Sequence, residues 1–257
     1  MCFRAEEKLE RVLLTLAVVV CLFLVGCATK QVHYVEEAVD YVRQGLTYAA
    51  ERRHDKAIAC FTEAIEIDPK YAQAYGNRAV SYSAVGQHEK AIEDCNKLLE
   101  LRPNDAKAYV NRGTAYCRMA GYDLAIRDFT KAIQIKPGYA NAFYNRALAR
   151  QAKTEYEQAI ADFSLAIEAN PKDAQAHKRR AYLYTKSGQY EIAKLDYDKV
   201  LEINPNDAEA YSQRALFYFV QRNYDQAWDD VEKARSLGHP VPQGFLNALR
   251  QASARQE

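Results

Sequence analysis

The chain has 257 residues, 49% hydrophobic and 27% charged, a balance that suits a packed domain and argues against a long disordered one. Its 35 basic and 34 acidic residues leave a net charge of +1, so composition gives no sign of the basic face that nucleic acid requires. Sparse glycine and proline beside frequent Ala, Leu, Glu and Lys favour helices over sheet.

The first predicted element is the apolar run Val12–Gly26. Its 15 residues make about 22 Å of helix, short of the roughly 30 Å hydrocarbon core of a bilayer. That length suits the apolar region of a signal peptide, residues 1–26. Arg4, Lys8 and Arg11 precede it, but so do Glu6, Glu7 and Glu10, which leaves an uncleaved anchor as the alternative. Residues 27–37 then form a short linker, about 35 Å when fully extended.

A 34-residue period begins at residue 38 and gives six units: 38–71, 72–105, 106–139, 140–173, 174–207 and 208–241. In the third, Tyr109, Arg112, Gly113 and Tyr116 share one helical face, and Met119-Ala120-Gly121 breaks the helix. Ala125, Asp128, Phe129, Ala132 and Ile133 line one face of a second helix, which Pro137 ends. Such a hairpin cannot bury its apolar face alone and needs copies on either side. Those copies are marked by Pro69, Pro103, Pro137, Pro171 and Pro205 and by Ala57, Ala91, Ala125, Ala159, Ala193 and Ala227. A small-residue column runs Gly45, Ala79, Gly113, Ala147, Ala181, Ala215, and a ring column runs Tyr41, Tyr75, Tyr109, Phe143, His177, Tyr211. The second unit has Cys95 and Leu98 in place of Phe and Ala; the fifth has His177 in the ring column and Lys194 in place of an apolar residue. In the sixth, Gly238 reads as a helix stop. Residues 242–257 supply a capping helix, with Phe245, Leu246 and Leu249 on one face to close the last apolar surface.

The period, the two small columns, the ring and the closing proline resemble the tetratricopeptide repeat, over residues 38–241. The resemblance implies an all-α fold, a right-handed α-solenoid of about six helix-turn-helix hairpins plus a C-terminal capping helix. Near the start of the chain, Leu24-Val25-Gly26-Cys27 resembles the bacterial lipobox. It implies lipid attachment at Cys27 and, with Ala28 following, an outer-membrane location facing the periplasm. Of the cysteines left after cleavage, Cys60 and Cys95 face inward and read as small core hydrophobes rather than disulfide partners.

Two charged columns run through the packed layer: Arg78, Arg112, Arg146, Arg180 and Arg214 on the first helices, and Asp94, Asp128, Asp162, Asp196 and Asp230 on the second. The first unit has neither, with Gln44 and Cys60 at these positions. A buried guanidinium requires a carboxylate, so five structural ion pairs are expected.

No chemistry-bearing constellation accompanies the repeats. His33, His54, His88, His177 and His239 are scattered without metal-ligand spacing, the glycines form no phosphate loop, and no Ser or Cys sits in a nucleophile elbow. No enzymatic activity, metal, cofactor, nucleic acid or small-molecule substrate is therefore expected. The expected role is a membrane-anchored scaffold that holds a peptide or protein partner in its concave groove. An assembly factor for an envelope machine such as a pilus or secretion complex, and a self-associating structural scaffold, are the alternatives. Relatives line the groove with the first helix of each hairpin. The groove residues on that basis are Asn77, Lys107, Asn111, Arg118, Asn145, Lys178, Arg179, Lys186 and Gln213. Asparagine amides both donate and accept, which suits an extended peptide backbone.

Overall fold

The computed structural model describes residues 36–253. The predicted leader 1–26, the Cys27 attachment point and the linker up to residue 35 lie outside the described residues, as do 254–257. Among the described residues there are thirteen helices and no strand, and the helices pack as consecutive hairpins. They fall into two compact units, one ending at Asn104 and the other beginning at Asp105.

The first unit contains α1 (residues 36–50), α2 (His54–Ile67), α3 (Ala72–Ala84) and α4 (His88–Leu101). The second contains α5 (Ala106–Arg118), α6 (Tyr122–Ile135), α7 (Ala140–Ala152), α8 (Tyr156–Ala169), α9 (Ala174–Lys186), α10 (Tyr190–Ile203), α11 (Ala208–Val220), α12 (Tyr224–Ser236) and α13 (Gln243–Ser253).

The periodic prolines set where the second helix of a hairpin stops. A residue before proline is pushed out of the helical region, and Asp68, Arg102, Lys136, Asn170 and Asn204 all sit there with φ between −129° and −143°. The next helix then begins a few residues on. At α5, α9 and α11 it starts behind an aspartate, and the carboxylates of Asp105, Asp173 and Asp207 accept the backbone N–H of Ala108, Ala176 and Ala210.

Within a hairpin, the turn between the two helices needs one left-handed residue. Gly86 and Gly188 supply it without strain, but Arg52, Ala120, Thr154 and Arg222 take φ of 58–64° with a side chain. At the Met119-Ala120-Gly121 break the left-handed residue is Ala120, whereas Gly121 keeps φ at −80°.

The cores are the inward columns. Val42, Ala57, Phe61 and Ala64 form that of the first unit. In the second, Ala125, Phe129 and Ala132 pack on Ala142 and Ala149, and Phe163 packs on Ala147 and Leu183. Gly113 is needed for close approach: a Cβ there would lie 2.7 Å from the Phe129 ring. At the C-terminal end α13 buries Leu246 and Leu249 against Trp228 and Val231, and Phe245 meets Phe219 edge-on at 5.5 Å. None of the described helices is long and apolar enough to cross a membrane.

Candidate functional site

A charged layer lies between the paired helices of the hairpins. In each of five hairpins the arginine of the first helix clasps the aspartate of the second with two parallel bonds, Nε and Nη2 to the two carboxylate oxygens, at 2.7–2.9 Å. The aspartates are buried, with Asp162 at 1% exposure. In the first hairpin the same two positions hold a weaker contact, the Cys60 thiol donating to Gln44 Oε1 at 3.8 Å.

The periodicity did not reveal where the remaining arginine nitrogen goes. Nη1 reaches back to the preceding hairpin: Arg78 to Thr62, Arg146 to Thr130, Arg180 to Ser164, Arg214 to Asp198, at 2.7–3.0 Å. One side chain thus joins its own hairpin and ties it to the one before. The acceptors form a polar column of Thr, Ser and Asp 34 residues apart, a signal present in the sequence. Asp162 takes a third bond from Arg150 at 2.7 Å. Asp196 is also approached by His177 Nδ1 at 2.8 Å, and His177 Nε2 faces the Pro171 carbonyl at 3.2 Å, as the Tyr75 hydroxyl does with Pro69. Lys194, the charged replacement in an apolar column, pairs with Asp198 beside the Phe217 and Tyr218 rings.

Electrostatics follows burial. Desolvation lifts the carboxyls of Asp94 and Asp230 above the ordinary range, and their arginines pull the other way. Burial likewise raises the Cys117 thiol, to about 11. Cys60 and Cys117 are free thiols. Among the described residues no group of His, Cys, Asp or Glu is placed to hold a metal ion.

The groove positions separate into those that converge and those that do not. In the second unit Thr114, Arg118, Asn145 and Leu148 meet with Cys117 and Tyr122 around a cavity of about 250 Å³ between α5 and α7. Lys178, Arg179, Tyr182 and Gln213 meet with Tyr197 and Glu209 around a smaller one of about 140 Å³ between α9 and α11. Arg179 is exposed and has no ion-pair partner among the described residues, whereas Lys178 is drawn to Asp207 and Glu209, both at 3.0 Å. Lys186 rests over Tyr156 and Tyr182. Lys107 and Asn111 line neither cavity. The Asn145 amide donates to the Asn141 carbonyl at 2.7 Å. In the first unit the Asn77 amide nitrogen is buried with no hydrogen-bond partner among the described residues.

Tyr197 escaped the sequence reading because its column otherwise holds Phe61, Cys95, Phe129, Phe163 and Val231. It is 1% exposed, and burial pushes its phenol up to about 12, with Thr185 pulling the other way. The Thr185 hydroxyl donates to the Ala181 carbonyl, and by distance and angle the Tyr197 oxygen makes no hydrogen bond among the described residues.

Consecutive two-helix hairpins with a stapled inner layer and exposed first-helix faces define a repeat scaffold of the protein-interaction class. The chain belongs to the tetratricopeptide repeat family, whose models match residues 38–71, 72–105, 110–174, 174–207 and 196–229. Among solved structures it is similar to Pseudomonas aeruginosa pilF, with 21% identity, TM-score 0.71, and coverage of 87% of this chain and 100% of that one. YrrB, described as a TPR protein with an unusual peptide-binding site, is 25% identical with TM-score 0.59, covering 76% of this chain and 98% of its own. A MamA protein is 24% identical with TM-score 0.58, covering 68% and 95%. No curated protein matches the chain.

Proposed function

We propose that this protein is a lipid-anchored scaffold of the bacterial cell envelope that holds an extended peptide of a partner protein in the groove formed by its first helices. The carrying observation is the convergence of Thr114, Arg118 and Asn145 at one cavity and of Arg179, Gln213 and Tyr182 at another, all on the same face of successive hairpins. The likeness to YrrB, a repeat protein described by its peptide-binding site, supports the same use of the fold. The anchoring part of this reading is supported by Leu24–Cys27 behind the apolar run; a lipid on Cys27 would hold the repeats within a short linker of the membrane surface.

The groove is tested by Asn145→Ala combined with Arg179→Ala. Capture of the partner from solubilised membranes is expected to be lost while the helical melt is unchanged, and undiminished capture would move the site elsewhere. For the anchor, Cys27→Ser is expected to abolish incorporation of labelled palmitate. Labelling that persists in that variant would overturn the lipidation reading.

A further inference from the structure

The α5–α7 and α9–α11 cavities differ in chemistry, and the difference specifies a ligand. Both are below the roughly 300–1,000 Å³ of small-molecule sites, so each is sized for one side chain. The α5–α7 cavity has walls of Cys117, Leu148 and Ala149 beside the Tyr122 ring, with Thr114, Arg118 and Asn145 as its polar members, the Thr114 hydroxyl being already bonded to the Val110 carbonyl. It suits an aliphatic side chain.

The α9–α11 cavity is polar. Lys178 is neutralised there by Asp207 and Glu209, which leaves Arg179 as the unpaired cation among the described lining residues. Tyr197 adds a buried hydroxyl with no hydrogen-bond partner among the described residues, a destabilising arrangement unless a ligand accepts its hydrogen bond. An unpaired guanidinium, the Gln175 and Gln213 amides and an unsatisfied hydroxyl are a donor set for an anion. The Glu209 carboxylate in the same lining repels a second negative charge, which favours a carboxylate over a phosphate.

The cavities lie two hairpins apart. At about 8–10 Å between neighbouring helices the separation is roughly 20 Å, or about six residues of extended chain. We infer that the groove of the second unit takes an extended peptide segment with an aliphatic side chain at the α5–α7 cavity and, about six residues away, a Glu or Asp side chain at the α9–α11 cavity. This inference rests on the groove reading above and deepens it.

The test uses the full chain and fluorescein-labelled peptides, N-acetylated and C-amidated, with one Leu and one Glu separated by five Ser or Thr residues. Amidation removes the terminal carboxylate, so any acid dependence comes from the side chain. Anisotropy titration is expected to show binding that weakens about tenfold when the peptide Glu becomes Gln or when the spacer is cut to one residue. Tyr197→Phe is expected to weaken the Glu peptide about fivefold, to leave the Gln peptide unchanged, and to hold or raise the thermal midpoint, since phenylalanine already fills this column elsewhere. Arg179→Gln is expected to erase the discrimination. Equal binding of Glu and Gln peptides, an unaltered preference in Tyr197→Phe, or tighter binding of a free-acid peptide lacking Glu would each overturn the inference while leaving a peptide groove in place. Absence of binding by every peptide, spacer variants included, would overturn the groove reading with it.

Discussion

Asp162→Ala is the sharpest probe of what holds the hairpins together. Its carboxylate is 1% exposed and receives three guanidinium bonds, from Arg146 at 2.9 and 2.7 Å and from Arg150 at 2.7 Å. Removing it strands two cations whose side chains are only 13% and 21% exposed. Breaking a buried pair costs about 3–5 kcal/mol, and each hydrogen bond to a charged group about 1.5–3 kcal/mol. The arginines can recover some hydration at their exposed edges, and Arg146 keeps its bond to Thr130, so a loss of about 3 kcal/mol is expected. Urea unfolding followed by helical circular dichroism measures it. Repeat arrays can lose two-state cooperativity, so the relevant quantity is the shift of whichever transition includes α7 and α8. Replacing the network by packed apolar groups, Arg146→Met with Arg150→Met and Asp162→Leu, is expected to recover most of the loss. A single Asp162→Ala within about 0.5 kcal/mol of the parent would refute the reasoning, because it would mean that the carboxylate had been repaying only its own desolvation.

The left-handed turns make a second prediction. Ala120→Gly and Thr154→Gly should each raise stability by about 1 kcal/mol by relieving a conformation that L-residues resist, and Gly86→Ala should lower it similarly through its φ of 79° alone, since the added Cβ would meet nothing within 4 Å. Thermal melts of the single variants decide this, and an Ala120→Gly variant less stable than the parent would argue against it. A third concerns pH. Burial lifts Asp94 and Asp230 above their unfolded value of 3.8, so the folded state binds their protons more readily. Their contribution is fully present below 3.8 and is lost as pH rises through the folded values. The stability deficit of Asp94→Asn with Asp230→Asn is therefore expected to widen as pH falls from 7 toward 4. A deficit that narrows over that range would show the arginines outweighing burial.

Much of this fold was legible without coordinates because the repeat is a local signal written six times. The prolines mark helix ends through their effect on the preceding residue, and the small and aromatic columns mark the inward faces. Gain and loss of arginine and aspartate together, with Gln44 and Cys60 in the exceptional first unit, pointed to mutual neutralisation. These inferences need only residues within about one repeat of each other.

Tertiary structure decided what depends on distances between helices. That Nη1 of Arg146 reaches back to Thr130, and that Arg150 joins Asp162, follows from how one hairpin seats on the next. The left-handed conformation falls on Ala120 rather than Gly121 because closing the turn dictates backbone angles whatever residue occupies the position. The charge balance at the predicted groove positions was the least legible part. Lys178 and Arg179 are adjacent in sequence and both basic, yet one is neutralised by Asp207 and Glu209 from the next hairpin and the other is not. Sequence spacing assigns a side chain to a face of its own helix. Only the packing of neighbouring helices determines which charges on that face are already satisfied.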